Sequence, residues 1–287
     1  MKTLSLLAFS LSGVSLCHAA TLQIAPQNPQ PGDVLSVTIY PASGETISAV
    51  GMAAFDTEQV KFVAREDGSA RAFVGFPFDR SGGKFPLAAR VQTNRGEQIL
   101  RATVAAKARY YPTQRITMRN SATAAKMDNK SALRAEKLLV QSKMKDSYGA
   151  PLWNGNWITP TRGAGTSAYG RRRYVNGKWW GQHNGADIKA PSGAPVLATN
   201  GGRVVLSAYL PALRGNCIVV DHGCNVFSLY MHLSRREVSE GQSVAKGQRI
   251  GLVGATGFVT GAHLHWEVRV GWEPVDPNRI VARGLQF

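Results

Sequence analysis

Two histidines separated by a single residue are the clearest chemical feature of this sequence. In residues 261–269 apolar and polar side chains alternate, which predicts a half-buried β-strand with His263 and His265 on its polar face. Side chains two apart on a strand point the same way, so the two imidazoles stand side by side. Such a pair either binds a metal ion or is simply solvated, and the pair alone does not decide between these interpretations.

A third histidine lies close to a carboxylate. His183 and Asp187 are four residues apart around Gly185, and a bend of the backbone at this glycine would let both side chains reach one ion. The residues after Gly185 alternate again, which places Asp187 on the polar face at the start of a strand. Histidine and aspartate near glycine are also ordinary loop composition, so this segment alone is a weak signal.

A fourth histidine belongs to another alternating run. In residues 226–233, Ser228, Tyr230 and His232 form the predicted polar face, and the intervening apolar side chains form the core face. The preceding turn contains His222, which we interpret as structural. His232 therefore joins the histidines that are expected on polar faces of strands.

Together these residues match the requirements of a catalytic zinc site. Such a site has three protein ligands and keeps a fourth position for water, whereas structural zinc sites usually use cysteines. His183, Asp187 and one member of the His263/His265 pair would supply the three ligands. The other member and His232 would then be available for acid–base work near neutral pH on a zinc-activated water.

Length and charge limit the organisation of the chain and its partners. The 287 residues suffice for two domains, and the net charge is +16. Residues 101–150 carry 11 basic and 3 acidic side chains, and residues 151–287 carry 15 and 7. This charge favours an anionic partner such as an envelope polymer. The sequence has no compact basic and aromatic motif of the kind that binds nucleic acid, so no nucleic-acid partner is expected.

The first 20 residues resemble a secretory signal. An apolar stretch follows Lys2, and small residues suit cleavage after Ala19 or Ala20. No later segment is apolar enough to span a bilayer, so we expect an exported protein of the periplasm or cell envelope, or a secreted one. An oxidising compartment permits a disulfide between Cys217 and Cys224, but a hairpin would place one in a strand and the other in the turn, which argues against it.

The rest of the chain predicts a mainly β fold in two domains. Residues 21–112 contain short strand-like runs between turn signals, which favours a small antiparallel sandwich. These runs cover residues 34–40, 47–55, 60–64, 70–76, 85–93 and 98–106. Residues 113–150 are basic and predict a helical linker, with a helix over 131–145 and Ser131 as its N-cap. Residues 151–287 are glycine-rich and lack a βαβ rhythm, which argues against a parallel sheet.

Several spaced motifs in residues 155–280 resemble the lysostaphin-type (LytM-like) zinc metalloendopeptidases, which cut cell-wall peptides. The motifs are residues 167–172, His183-x-Gly-x-Asp187, 190–196, Gly215-Asn216, 220–223, 230–233, 254–257 and His263-Leu264-His265. The N-terminal region more loosely resembles the Ig-like module that precedes this domain in some envelope members. The resemblance implies a C-terminal antiparallel β barrel-sandwich of the duplicated hybrid motif type.

The resemblance also implies a division of roles. His183, Asp187 and His265 would bind one zinc ion per chain, while His263 and His232 would act as general base and transition-state stabiliser. The implied activity is endopeptidase cleavage of stem or cross-bridge peptides in peptidoglycan. The alternative is a non-catalytic envelope-binding or regulatory module on the same scaffold, although such modules usually lack a ligand. A biotinyl-type carrier hairpin at 241–254 is disfavoured because Lys246 lacks the required context.

Overall fold

The computed structural model describes residues 19–55, 60–119 and 121–287. β-strands dominate these residues, which confirms the predicted mainly β class. The strands of the described ranges pair in antiparallel fashion except for one parallel pair, and their sheets do not close into a barrel. Most of the predicted signal segment, residues 1–20, falls outside the described residues. Within these ranges, no helix combines the length and apolar character needed to cross a membrane.

Seven strands in two sheets form the N-terminal region. They are β1 (Thr21–Ala25), β2 (Val34–Tyr40), β3 (Ile47–Met52), β4 (Val63–Ala64), β5 (Ala70–Gly75), β6 (Gly83–Thr93) and β7 (Gly96–Ala106). The sheet orders are β1-β2-β5-β4 and β3-β6-β7, and both sheets contribute to one apolar core. Each of the six predicted runs contains a strand, although the run at 60–64 contributes only two residues. The sequence pattern did not predict β1, a short strand beside the expected cleavage site.

The middle region contains β8 (Thr113–Ile116), α1 (Ser121–Ala125) and α2 (Lys130–Lys143). The predicted N-cap of α2 is wrong: the cap is Asn129, whose side chain accepts the backbone N–H of Ala132 at 3.0 Å. Ser131 instead lies in the first turn and bonds to the Asn129 side chain. The first part of the region is also a strand rather than a helix, because β8 joins a sheet of the C-terminal region.

Thirteen strands and one helix form the C-terminal region. They are β9 (Ala164–Ser167), β10 (Arg172–Val175), β11 (Lys178–Gln182), β12 (Ala186–Lys189), β13 (Pro195–Leu197), β14 (Gly202–Leu210), β15 (Gly215–Asp221), β16 (Val226–Leu233), β17 (Arg235–Arg236), β18 (Ser243–Val244), β19 (Arg249–Leu252), β20 (Leu264–Val270), β21 (Glu273–Val275) and α3 (Pro277–Arg283). The main sheet has the order β18-β14-β15-β16-β20-β12-β9, and β21 pairs with β20. Two smaller sheets have the orders β11-β10-β8 and β13-β19-β17.

The main sheet is buried on both faces. One face carries Leu264, Trp266 and Val268 of β20 and packs into the large core. On the other face, Val140 of α2 and Met144, which follows this helix, cover apolar side chains of β14, β15 and β16. All seven residues of β20 are therefore buried, and the expectation of a half-buried strand is wrong. Its polar face is tolerated in the interior because its charged groups bind one another.

His222 occupies the structural position that the sequence indicated. Its Nδ1 donates to the carbonyl oxygen of Gly201 at 2.7 Å, and its Nε2 accepts from the hydroxyl of Ser228 at 2.7 Å. The side chain is fully buried. Burial lowers the pKa of His222 to about 4, so the ring is neutral at physiological pH.

This buried ring predicts a loss of stability in acid. In the unfolded chain His222 has an ordinary pKa of about 6.5. Between pH 6.5 and about pH 4 the unfolded state therefore binds a proton that the folded state does not bind. The contribution of this group to the free energy of unfolding is complete above pH 6.5 and falls by about 3 kcal/mol as the pH drops through 4. Urea unfolding of metal-free protein across this range, compared with His222→Asn, measures it. Equal pH dependences in the two proteins would contradict this assignment.

Both described cysteines are free thiols. Cys217 lies in β15 and Cys224 in the turn before β16, and both are buried. The thiol of Cys224 donates to the carbonyl oxygen of Gly149 at 3.1 Å. Burial raises the pKa of each thiol to about 12, so neither is a reactive thiolate at neutral pH.

Candidate metal centre

Three predicted ligands converge on one face of the main sheet, at the neighbouring strands β12 and β20. Asp187 of β12 and His265 of β20 are directly opposite each other in the ladder, so their side chains share one face. His183 reaches them from the segment before β12. Its Nε2 lies 3.0 Å from Oδ1 of Asp187 and 3.0 Å from Nδ1 of His265, which in turn lies 2.8 Å from Oδ1 of Asp187. Within the described ranges, these residues form one compact group of potential metal ligands.

Gly185 permits this convergence for a steric reason. A Cβ atom on this residue would lie 2.2 Å from the carbonyl oxygen of Trp266. The segment from His183 to Asp187 can therefore press against the backbone of β20 only with glycine at this point. The sequence indicated a bend at Gly185, and the structure shows a close approach of two backbones.

Each ligand side chain is oriented by a second contact. Nδ1 of His183 donates to the carbonyl oxygen of Ala168 at 2.9 Å, which leaves its Nε2 for a metal. Nε2 of His265 donates to Glu267 at 3.0 Å, which leaves its Nδ1. Such carboxylate and carbonyl partners fix the tautomer and ring orientation of metal-binding histidines. The donor set of two imidazole nitrogens and one carboxylate oxygen therefore fits zinc.

Two arginines complete the outer contacts of the centre. Arg269 donates from Nε to Oε2 of Glu267 at 2.6 Å, and Arg173 of β10 donates to Oδ2 of Asp187. Arg173 also donates from Nε to the side-chain oxygen of Gln114 at 3.0 Å. Glu267 and Arg269 lie on the predicted polar face of residues 261–269, so the alternation indicated that they would face the centre. Arg173 and Gln114 come from other strands, and no sequence pattern linked them to the centre.

The charges of the centre favour a cation. Burial would raise the pKa of Asp187, but the imidazoles of His183 and His265, both in contact with its Oδ1, hold it far below its usual range. Burial would likewise raise the pKa of Glu267, but Arg269 and His265 keep it below its usual value. Burial lowers the pKa of His183 to about 4, whereas hydrogen bonds to Asp187 and Glu267 outweigh burial and raise that of His265 to about 9. Without metal, His265 is thus a cation that lies between the two buried carboxylates, each of which also contacts an arginine.

Glu267→Gln is expected to lower zinc affinity about 10- to 100-fold, the usual effect of losing an outer-shell partner of a metal ligand. The amide still accepts the hydrogen bond of His265 but no longer increases the basicity of the ring. Competition against a chromogenic chelator at fixed pH measures the change. Glu237→Gln, which alters a carboxylate outside the groove, is the matched control. Unchanged zinc affinity in Glu267→Gln would refute this role.

Two further histidines lie beside the three ligands. The ring centroid of His232 is 5.0 Å from that of His263 and 5.9 Å from that of His265. Nδ1 of His232 donates to the carbonyl oxygen of Thr256 at 2.9 Å, and Nδ1 of His263 donates to that of Gly261 at 2.8 Å. Burial lowers the pKa of both rings. Each ring is therefore neutral, and its Nε2 carries the lone pair.

The side chain of His232 points toward the centre for a reason that the sequence pattern did not predict. Tyr230 lies opposite Trp266 and faces the large core, whereas Met231 lies opposite His265. Regular alternation would therefore point His232 into the core with Tyr230, and the predicted shared polar face is wrong. A φ of 65° at His232 breaks the alternation and turns the ring toward the centre.

The centre opens into a groove of about 510 Å³. Ile116 and Met118 of the middle region line part of it, and Trp180 lines another part, where it stacks on Phe258 with ring centroids 5.1 Å apart. The neighbouring Trp179 is half-exposed and packs against Tyr174. The middle region thus contributes directly to the groove.

Comparison with known proteins defines the class of this centre. Residues 181–277 match the family model of peptidase family M23, so the chain carries an M23 peptidase domain. A crystal structure of a putative M23 peptidase from Pseudomonas aeruginosa is 24% identical, with a TM-score of 0.63 over 90% of this chain and 96% of that chain. It shows that the overall fold is shared.

Two curated relatives have names that describe an activity. The peptidoglycan DD-endopeptidase ShyA of Vibrio cholerae is 47% identical over 94 residues, which are 33% of this chain and 22% of the relative. The DD-carboxypeptidase/endopeptidase Mpg of Neisseria meningitidis is 38% identical over 115 residues, 40% of this chain and 26% of the relative. The chain therefore spans about a quarter of the length of these relatives.

Proposed function

We propose that this protein is a zinc-dependent endopeptidase that hydrolyses peptide bonds in bacterial cell-wall peptidoglycan. Its main support is the convergence of His183, Asp187 and His265 at an open groove, with two neutral imidazoles beside them. Three protein ligands leave a fourth position for water or substrate, as in catalytic zinc sites. The names of the relatives ShyA and Mpg support peptidoglycan peptides as the substrate.

The two free histidines have distinct tasks in this proposal. Bound zinc would lower the pKa of a water molecule and polarise the scissile carbonyl group. His263, which is partly open to the groove, accepts the proton of the attacking water at Nε2 and returns it to the leaving amine. His232 is buried and can donate from Nε2 only when protonated, because its Nδ1–H is bound to Thr256. The negative charge that develops on the carbonyl oxygen favours that protonated form.

The net charge of the chain fits a substrate in the bacterial cell envelope. The excess of basic residues after residue 100 favours association with an anionic envelope polymer. The signal-like residues 1–20 support export to the periplasm or cell envelope. Added salt should weaken binding to the polymer, because at 0.1 M it largely screens the attraction between exposed charges that lie more than about 10 Å apart.

Digestion of purified peptidoglycan tests this function. The protein is incubated with the polymer as purified, after chelation, and after zinc is added back, and the soluble fragments are identified by mass. We expect fragments with new peptide amino and carboxyl termini, loss of cleavage after chelation, and recovery with zinc. Fragments with only new sugar ends would contradict an endopeptidase. Binding without any fragments would instead indicate the non-catalytic envelope module.

A further inference from the structure

A buried glutamate of the middle region holds a loop beside the candidate centre. Glu136 of α2 is 6% exposed. Its carboxylate accepts the backbone N–H groups of Ala212, Leu213 and Arg214, with Oε2 at 3.1 Å from Leu213 N and 3.4 Å from Arg214 N. The guanidinium of Arg214 lies 3.5 Å from the same oxygen. Three convergent N–H donors on one buried carboxylate make a strong, charge-assisted anchor.

The anchored loop, residues 211–214, holds the backbone of His232. The carbonyl oxygen of Arg214 accepts the N–H of His232 at 2.9 Å. The carbonyl oxygen of Leu213 accepts the N–H of Phe258 at 2.9 Å, which fixes a second loop, residues 254–258. This second loop supplies the Thr256 carbonyl group that orients the imidazole of His232. His232 is thus held at its main chain by one loop and at its ring by the other.

The two loops are packed too closely to move independently. A Cβ atom on Gly257 would lie 2.5 Å from the carbonyl oxygen of Leu213, and one on Gly215 would lie 2.3 Å from Oγ1 of Thr256. A shift of residues 211–214 is therefore transmitted to both supports of His232. His232 also has a backbone conformation that non-glycine residues adopt only when the surroundings enforce it.

We infer that Glu136 is a positioning residue for His232 and acts through the loops 211–214 and 254–258. The helix α2 lies outside the segment matched by the family model, yet it supplies this anchor. The inference rests on the proposed function insofar as His232 takes part in the reaction. The geometric part, that Glu136 fixes the ring of His232, holds independently of any activity.

Glu136→Gln tests this role with little change in shape. The amide keeps one acceptor oxygen but loses the charge and points an NH₂ group at backbone donors. We expect kcat to fall between about tenfold and 10²-fold, as for a small displacement of a catalytic group, with KM and zinc content close to wild type. Glu240→Gln is the matched control, because it removes the surface ion pair between Glu240 and Lys143 of α2 and leaves both loops intact.

A double-mutant cycle distinguishes positioning from general stabilisation. In a His232→Ala background, Glu136→Gln should have no further effect on kcat, because its target is already absent. Equal losses in both backgrounds, or full activity of Glu136→Gln alone, would overturn the inference. If Glu136→Gln fails to fold by circular dichroism, Glu136→Asp replaces it in the same cycle, since it keeps the charge but shortens the reach.

Two readouts do not depend on activity. Hydrogen exchange should show lost protection at the amides of residues 212–214 in Glu136→Gln, with β20 unchanged. The ring ¹⁵N resonances of His232 should shift in the same variant. If the wild-type protein cleaves no peptidoglycan, the proposed function fails while these two measurements still judge the anchor. Unchanged exchange and unchanged His232 resonances would overturn the anchor itself.

Discussion

His265→Ala is expected to abolish both zinc binding and peptidoglycan cleavage. In the proposed centre the ring supplies one of three ligands, and it joins Asp187 to Glu267. Its removal leaves two buried carboxylates facing a cavity without their common partner, which also lowers stability. Because bound zinc supplies several kcal/mol of transition-state stabilisation, the rate of cleavage should fall by about 10³-fold or more. Metal analysis by mass spectrometry and release of soluble fragments measure the two effects.

The control for His265→Ala must separate metal loss from unfolding. Circular dichroism and the melting temperature establish whether the sheet is retained. Asp187→Asn provides a nearly isosteric loss of a second ligand and should have the same two effects. A folded His265→Ala protein that keeps one zinc per chain at this centre, or that cleaves at the wild-type rate, would disprove the ligand assignment.

His263→Ala is expected to keep zinc and lose turnover. The ring lies next to the proposed ligands, with Nε2 at 3.8 Å from Oδ1 of Asp187, and we propose it as a proton acceptor rather than a ligand. Loss of a general base costs about 10²- to 10⁴-fold in rate. Zinc content should stay at one ion per chain, and KM should change little.

His232→Ala is also expected to keep zinc and to lose turnover, but for a different reason. The buried ring would stabilise developing charge, so kcat should fall by about 10²-fold or more. Steady-state rates on a soluble cross-linked muropeptide, with zinc content measured on the same samples, compare the two variants. If either variant loses zinc in parallel with activity, that histidine serves the metal and not the reaction.

The convergence of His183, Asp187 and His265 was predictable because these residues obey local rules. Alternation around His265 indicated a strand, and the pairing of Asp187 with His265 brings two predicted faces together. The resemblance to the family implies His265 rather than His263 as the ligand, which the pattern alone left open. His232 shows the limit of this approach, since its positive φ reverses the side on which alternation places it.

Contacts between distant segments were beyond the reach of sequence patterns. Gln114 binds the guanidinium of Arg173, which contacts Asp187, because β8 pairs in parallel with β10. No sequence pattern singles out Glu136, yet its carboxylate is buried against three backbone amides. Such roles depend on tertiary packing, which neither periodicity nor composition encodes locally.

Anomalous diffraction at the zinc edge from crystals of zinc-loaded protein tests the central claim most directly. We expect one strong peak per chain, bounded by Nε2 of His183, Oδ1 of Asp187 and Nδ1 of His265. Ligand distances should be about 2.0–2.2 Å, as for nitrogen and oxygen ligands of zinc. A zinc peak elsewhere in the chain, with this position empty in protein that cleaves peptidoglycan, would contradict the metal centre described above.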